Sequence, residues 1–302
     1  MTSFPSGLLS VAPLFVPGHV EKLRDNALRF DDAILIDLED AVPLERKADA
    51  RHGATELAKA RPGKCFVRVN SLDQDESTCG LAADDIRAVV QPDLAGLVIP
   101  KVEDAAMLAS VHSAICEAER TAGMSSGLLP LIVTIESARA VMRLAEITAV
   151  PSARPIMLAF GMGDFTNDLD ISWTRDEGET AVARAMVPIA SRAARLPKPL
   201  DSVFTDVEDD EGLKQSALRG KCMGYGGKPA IHPRQIPIIR SVYSPGEAEI
   251  SWASRIVDEA RHHEQRGSGA FLLDGRMIDA PIVAQARRIL SDAPKSGSRQ
   301  AT

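Results

Sequence analysis

The stretch "LPLIVTIESARA" (Leu129–Ala140) starts as an apolar run and stops at a carboxylate, Glu136, before a helix-like pattern begins. "PIMLAFGMGDFTNDL" (Pro155–Leu169) repeats the design: Ile156–Phe160 is apolar, and Gly161 and Gly163 lead to Asp164. Runs apolar on both faces suit strands covered on both sides, as in a parallel sheet. Working outward, six more runs of this kind appear. They are "APLFVPG" (12–18), "AILIDLED" (33–40), "CFVRVN" (65–70), "AGLVIPKVE" (95–103), "DSVFTDVED" (201–209) and "GGKPAIHP" (226–233). Amphipathic segments such as "VEKLRDNALRF" and "DEGLKQSALRGKCMG" separate most of them. Eight strand-like runs alternating with helices predict an α/β fold, a (β/α)8 TIM barrel over residues 1–243. The alternative is an open doubly wound sheet, but no G-x-G-x-x-G follows the first run.

After Tyr243 the pattern changes. "SPGEAEISWASRIVDEARHHEQRG" reads as a helix, Asp274-Gly275 as a turn, and "IVAQARRIL" as a further helix. Residues 244–291 are therefore expected to form a C-terminal helical extension. Residues 292–302, containing "APKSGSRQAT", are expected to be a disordered tail.

Composition narrows the function classes. The 302 residues are 45% hydrophobic and 25% charged, enough for a sizeable core. The net charge of −7 comes with mixed signs, so no basic stripe points to nucleic acid, and no run is long enough to span a membrane. "MTSFPSGLLS" has no basic leader before an apolar stretch, so no secretory signal is expected. Cys65, Cys79, Cys116 and Cys222 fit neither a zinc site nor a disulfide framework, which gives the cytoplasm as the expected compartment.

In such a barrel the active site lies at the carboxyl ends of the strands. The polar residues there are Asp37, Glu39 and Asp40, then Arg68 and Asn70, Lys101 and Glu103, Glu136, Asp164, Asp206, and Lys228 with His232. Glu136 and Asp164 would end neighbouring strands, and converging carboxylates need a cation or a shared proton. Mg2+ suits them because it takes few protein oxygens. The alternative is that Glu136 caps the next helix and Asp164 begins a turn. Arg68 offers a planar fork for a carboxylate or thioester oxygen, or a structural pair with Glu39. Lys101 is either a Schiff-base nucleophile or a solvated strand-end lysine. No G-x-S-x-G, Walker loop or H-E-x-x-H occurs.

Nine motifs in order then resemble one family. They are "PLFVPG", "ILIDLEDAVPLERKADAR", "FVRVN", "GLVIPKVE", "LIVTIESARAV", "AFGMGDFTNDL", "TDVEDDEGL", "GKPAIHPRQI" and "LDGRMIDAP". Together, from about Leu8 to Leu290, they resemble the HpcH/HpaI aldolase/citrate lyase family in its citrate lyase beta-like branch. The resemblance implies a (β/α)8 barrel, Mg2+, and reversible carbon–carbon cleavage of a 3-hydroxy acyl thioester such as citryl-, malyl- or citramalyl-CoA. It implies Glu136 and Asp164 as metal ligands and Arg68 as a catalytic, substrate-binding arginine. Asp37, Glu39, Lys101 and Glu136 match positions expected to shape the substrate site. Asp279 matches a catalytic acid that family trimers deliver from a neighbour's C-terminal segment, which makes the extension a lid and an oligomerisation element. The family often follows FVPG with Asp-Arg-Pro-Glu-Lys near the CoA phosphates, whereas "FVPGHVEKL" carries His19 and Val20 and is one residue shorter. Two other functions remain open: a metal-dependent aldolase on free 2-oxo acids, and a citrate lyase-type subunit that needs an acyl carrier protein.

Overall fold

The structure is a computed structural model and describes residues 4–5, 8–72, 80–150, 154–265 and 269–293. Two compact units divide the chain, residues 1–239 and 240–302.

In the first unit six strands form one parallel sheet in sequence order. They are β1 (Leu14–Pro17), β2 (Ile34–Asp37), β3 (Cys65–Arg68), β4 (Gly96–Ile99), β5 (Leu131–Ile135) and β6 (Ile156–Phe160). Each lies inside one of the apolar runs. Every residue of β2 and β4 is buried, which is why those runs show no polar alternation. Leu35, Phe66, Val98, Ile132, Ala159 and Leu200 meet in a single buried cluster on one side of the sheet. Helices such as Lys47–Ala60, Ala105–Thr121 and Ala181–Ala193 follow strands and return the chain to the sheet. None of the described helices is long and apolar enough to cross a membrane.

The seventh and eighth expected strands are not part of this sheet. The chain makes isolated parallel bridges there instead: Ala159 with Leu200, Leu200 with Gly227, and Leu14 with Ala230. Leu200 N donates to Leu158 O at 3.0 Å, Asp201 N to Gly227 O at 2.8 Å, and Phe15 N to Ala230 O at 2.8 Å. Proline contributes: Pro197, Pro199 and Pro229 have no N–H to give, so each segment bonds only through alternate residues, as where Lys228 N donates to Val11 O and Ala230 N to Pro13 O, both at 2.8 Å.

A buried ionic cluster ties these bridging segments to the helix Ala181–Ala193. Arg184 grips Asp201 through Nε at 2.8 Å and Nη2 at 2.6 Å, and it donates to Glu177 Oε2 at 2.6 Å. Lys228 Nζ reaches Asp201 Oδ2 at 3.2 Å. Arg219, partly exposed, adds a bond to Glu177 Oε2 at 3.0 Å. The fully buried charges, Arg184 and Lys228 against Asp201 and Glu177, offset one another, so removing one would leave its partner uncompensated.

The second unit has its own core. The helix Glu247–Gln265 packs Ala253, Ile256 and Ala260 against Phe271, Ile278 and Ala286. β7 (Phe271–Leu273) and β8 (Arg276–Ile278) form an antiparallel hairpin. Its turn puts Asp274 at φ 50° and Gly275 at φ 76°, the left-handed pair that an Asp-Gly turn supplies. His263 stacks on Phe271 with ring centroids 4.7 Å apart. The last helix, Ala280–Asp292, runs one residue into the segment expected to be tail, and residues 294–302 lie outside the described ones.

Candidate active site

The carboxyl ends of the strands gather the residues singled out by the sequence. Asp37 ends β2 and is directly opposite Arg68, the last residue of β3. That register lets Arg68 grip Asp37 with two bonds, Nε to Oδ1 at 2.6 Å and Nη2 to Oδ2 at 2.8 Å. Nη1 of Arg68 lies 3.0 Å from Glu39 Oε2 and 3.1 Å from Asp40 Oδ2. The guanidinium also sits over the Phe15 ring, 5.3 Å from its centroid. The Arg68–Glu39 pairing expected from sequence is therefore present, and Asp37 is the stronger partner. Asp37 itself accepts the amides of Glu39 and Ala41, each at 3.0 Å. Burial works to raise the Asp37 carboxyl, but Arg68 and these two amides outweigh it and hold it below its ordinary range.

Lys101 follows β4 in a left-handed conformation, φ 52°. Its ammonium lies 3.2 Å from Glu39 Oε1 and 3.7 Å from Asp40 Oδ1. Burial works against its charge, yet Glu39, Asp40 and Asp164 more than restore it and raise it above the ordinary lysine range. A Schiff-base nucleophile needs the neutral amine, so this setting opposes that role. Glu39 is buried between two cations, but neither oxygen has a partner aligned as a hydrogen bond. Burial pushes its carboxyl up to about 7 despite Arg68, and Asp40 adds to the rise.

Glu136 follows β5 and is 4% exposed. It does not cap the next helix: Ser137 does, accepting Ala140 N at 3.1 Å. Ser137→Ala should accordingly lose about 1 kcal/mol of stability, read as a lower urea midpoint at constant slope. Glu136 Oε1 instead accepts the Lys101 amide at 2.6 Å. Its other oxygen faces Gly161, where any Cβ would collide with the carboxylate. Glycine at 161 thus leaves room for an acid beside the chain turning into the helix Met162–Asp168. Asp164 sits in the first turn of that helix, whose Met162 amide donates to Ser202 Oγ at 2.9 Å. Burial raises the Glu136 carboxyl well above its usual range, and the charges of Asp164 and Glu39 push it further.

Asp37, Asp40, Arg68, Glu136 and Asp164 line one cavity of about 370 Å³, with Phe160 and Trp173 among its apolar walls, while Glu39 and Lys101 contact its lining residues from outside it. Asp37, Glu39, Asp40, Glu136 and Asp164 confront two cations, Arg68 and Lys101, an excess of negative charge that a divalent cation would relieve. Among the described residues no group of three or more His, Cys, Asp or Glu side chains is placed to hold a metal. Two carboxylates are few protein ligands, which suits an ion that keeps water or substrate oxygens in its shell.

Other strand-end candidates lie elsewhere. Lys228 is fully buried in the ionic cluster with Asp201. Glu103 pairs with Arg139 at 3.6 Å, Asp206 accepts the amides of Glu208 and Asp209, and His232 Nδ1 accepts Arg234 N. Asp279 belongs to the second unit, where it caps the helix Ala280–Asp292 and accepts Ile282 N at 3.5 Å. Sequence reading missed Asp201, Ser202 and Trp173 as lining residues. Asp201 had been placed at the start of a strand, whereas it directly follows the bridging Leu200, a shift that the flanking prolines could have signalled.

A parallel α/β sheet carrying an acid-rich cavity at the carboxyl ends of its strands defines an enzyme-like class. The chain belongs to the HpcH/HpaI aldolase/citrate lyase family, whose model matches residues 12–233. It is 34% identical to citrate lyase subunit beta of Leuconostoc mesenteroides subsp. cremoris, over 92% of this chain and 91% of that one. It is 31% identical to a (3S)-malyl-CoA thioesterase of Cereibacter sphaeroides, over 93% of each. Among solved structures it resembles protein CitE from Mycobacterium tuberculosis in complex with magnesium, acetoacetate and coenzyme A. That match has a TM-score of 0.75 and 25% identity, and it covers 94% of this chain and 98% of the other.

Proposed function

We propose that this protein is a Mg2+-dependent carbon–carbon lyase. It cleaves, or in reverse forms, a 3-hydroxy acyl-CoA of the citryl, malyl or citramalyl kind, giving an oxo acid and acetyl-CoA or a related acyl thioester. The observation that carries this reading is the pairing of Glu136 and Asp164 in one cavity with Arg68. The relatives support it: a citrate lyase subunit, an enzyme named for malyl-CoA, and a structure holding magnesium with CoA. The bridges at Leu200, Gly227 and Ala230 favour a sheet closed into an eight-position barrel ring, with residues 1–243 as the catalytic domain. The segment 244–291 serves as lid and oligomerisation element, in a cytoplasmic homotrimer.

Glu136 and Asp164 would hold the magnesium: the missing side chain at Gly161 lets the Glu136 carboxylate lie against the turn that leads to Asp164, and both acids line the same cavity. Magnesium there would supply Lewis-acid polarisation of the oxo-acid half. The chain's own residues supply the rest. Arg68, fixed by the two-point grip of Asp37, stabilises charge developing on the thioester oxygen as the bond breaks and an enolate forms. Glu39 and Lys101 fix the other side of Arg68 and shape the substrate site. As the carbon–carbon bond pair passes to the thioester enolate, the 3-hydroxyl becomes the carbonyl of the oxo acid and gives its proton to solvent. Asp279 in its protonated form delivers one proton to the enolate α-carbon, and in the reverse direction takes it. The lid excludes water, which would otherwise protonate the enolate.

The test is turnover of malyl-, citramalyl- and citryl-CoA by the purified full chain with Mg2+, with products separated. Acetyl-CoA plus an oxo acid is the expected outcome. Free CoA plus an intact hydroxy acid would mean thioester hydrolysis, the activity named for the Cereibacter relative. Turnover of free 2-oxo acids alone would mean a CoA-independent aldolase, and turnover only with an acyl carrier protein would mean a partner-dependent subunit. A second expectation concerns the loop after β1, where Arg24 donates to Gly18 O and Arg46 Nη2 to His19 O. If these cations lie near the CoA phosphates, calorimetry should show CoA binding that weakens as salt rises from about 0.01 to 0.15 M.

A further inference from the structure

Lys47 opens the helix after β2, a position where a lysine is ordinarily solvated. It is instead 8% exposed. Its ammonium donates to Leu38 O at 2.7 Å, Glu39 O at 2.8 Å and Asn70 Oδ1 at 2.7 Å, which uses all three protons. Asn70 in turn donates through Nδ2 to Leu38 O at 3.0 Å and to Asp85 Oδ2 at 2.6 Å. Arg51 Nε holds Asp85 Oδ1 at 2.6 Å. The strand-end turn is thus held by its carbonyls from behind. Its amides at Glu39 and Ala41 point the other way, onto the two oxygens of Asp37, and Asp37 grips Arg68.

We propose that Lys47 is a positioning residue for Arg68: by clamping the Leu38 and Glu39 carbonyls it fixes the amides that orient Asp37, and through Asp37 the guanidinium facing the substrate. The consequence for turnover rests on the lyase reading; the mechanical link from Lys47 to Arg68 does not. Neutral replacement removes the one donor that joins these three oxygens. Leu38 O keeps Asn70 Nδ2 and Glu39 O keeps Val42 N, but the two carbonyls are no longer tied to each other and to Asn70 Oδ1, so the turn relaxes and the Asp37–Arg68 fork loses its fixed direction. A misplacement of about 1 Å remote from the chemistry can cost about 10²-fold in rate.

The experiment uses the full chain and two readouts. The first is the Nε–H region of a 1H–15N correlation spectrum, with the Arg68 signal identified by its loss in Arg68→Lys. The second is steady-state turnover of the best acyl-CoA. In Lys47→Met the Arg68 signal should move or broaden while unfolding stays cooperative. kcat should fall by about 10–10²-fold with KM little changed. In an Arg68→Lys background, the same Lys47→Met change should cost no more than about twofold, because the group it positions is already gone. An unmoved Arg68 signal, or equal losses in both backgrounds, overturns the proposal in favour of a purely structural lysine. Should Lys47→Met fail to fold, Asn70→Ser, which removes one acceptor of the ammonium and the Nδ2 bonds to Leu38 O and Asp85 while leaving Lys47 in place, is read by the same two criteria. If the wild type cleaves no acyl-CoA, the lyase reading falls, and the Arg68 signal alone decides the role of Lys47.

Discussion

Glu136→Ala and Asp164→Ala should each lower turnover on the order of 10²-fold or more, the scale of losing one strong electrostatic stabiliser in a water-poor site. EDTA should abolish activity in the wild type, and Mg2+ or Mn2+ should restore it. Two features of the site underlie the size of the effect. The acids outnumber the cations around the cavity, and Glu136 is so buried that without a cation its carboxyl is driven toward the neutral form, with Asp164 adding to the push. On the proposed metal site, removing either acid would take away one of its two protein ligands. A readout independent of turnover comes from stability. Folding raises the Glu39 carboxyl from 4.5 to about 7, so in metal-free protein its contribution is fully present below about 4.5 and is lost as pH rises through about 7. Glu136 is shifted in the same direction. Added Mg2+ should therefore raise the melting temperature more at pH 8 than at pH 5, where protons compete for the carboxylates. Undiminished activity after verified metal removal would sink the metal reading.

How far the site could be read from sequence depended on the kind of contact involved. The ends of β2, β3, β5 and β6 were legible because each is a short apolar run that stops at a charged or glycine residue. In a parallel ladder such ends fall side by side, so Asp37 opposite Arg68 follows from register alone. The Asp37 fork was less visible than the Glu39 pairing, since only the structure shows which carboxylate receives the planar face of the guanidinium. The last two strands were misread because composition marks a segment as buried and extended without saying whether its backbone can donate. Pro199 and Pro229 cannot donate, and bridges stand where full strands were expected. Lys47 was illegible for another reason. A lysine at a helix start is usually solvated, and nothing local reports the three acceptors that reach it from residues 38, 39 and 70.

Asp279→Ala should keep the fold and Mg2+ binding while turnover falls by about 10²–10⁴-fold, the range for losing a proton-transfer group. The competing role is visible in the second unit. Asp279 caps the helix Ala280–Asp292, with Pro281 among its first residues, and its bond to Ile282 N is long at 3.5 Å. A cap alone predicts a different loss: roughly 0.5–2 kcal/mol of stability with turnover nearly intact. Asp279→Asn separates the two further. Asparagine caps about as well as aspartate, yet it cannot carry a proton to carbon, so stability should be kept and activity lost. Which subunit receives the acid is settled by mixing Asp279→Ala with Glu136→Ala and allowing subunits to exchange. If Asp279 acts across an interface, a mixed oligomer contains at least one site with an intact Glu136 and a neighbour's intact Asp279, and activity returns. If exchange is verified by mass and activity stays absent, the acid works within its own chain, and the trimer is not required for chemistry. If Asp279→Asn turns over normally, Asp279 is a helix cap, and the proton must come from another group at the cavity.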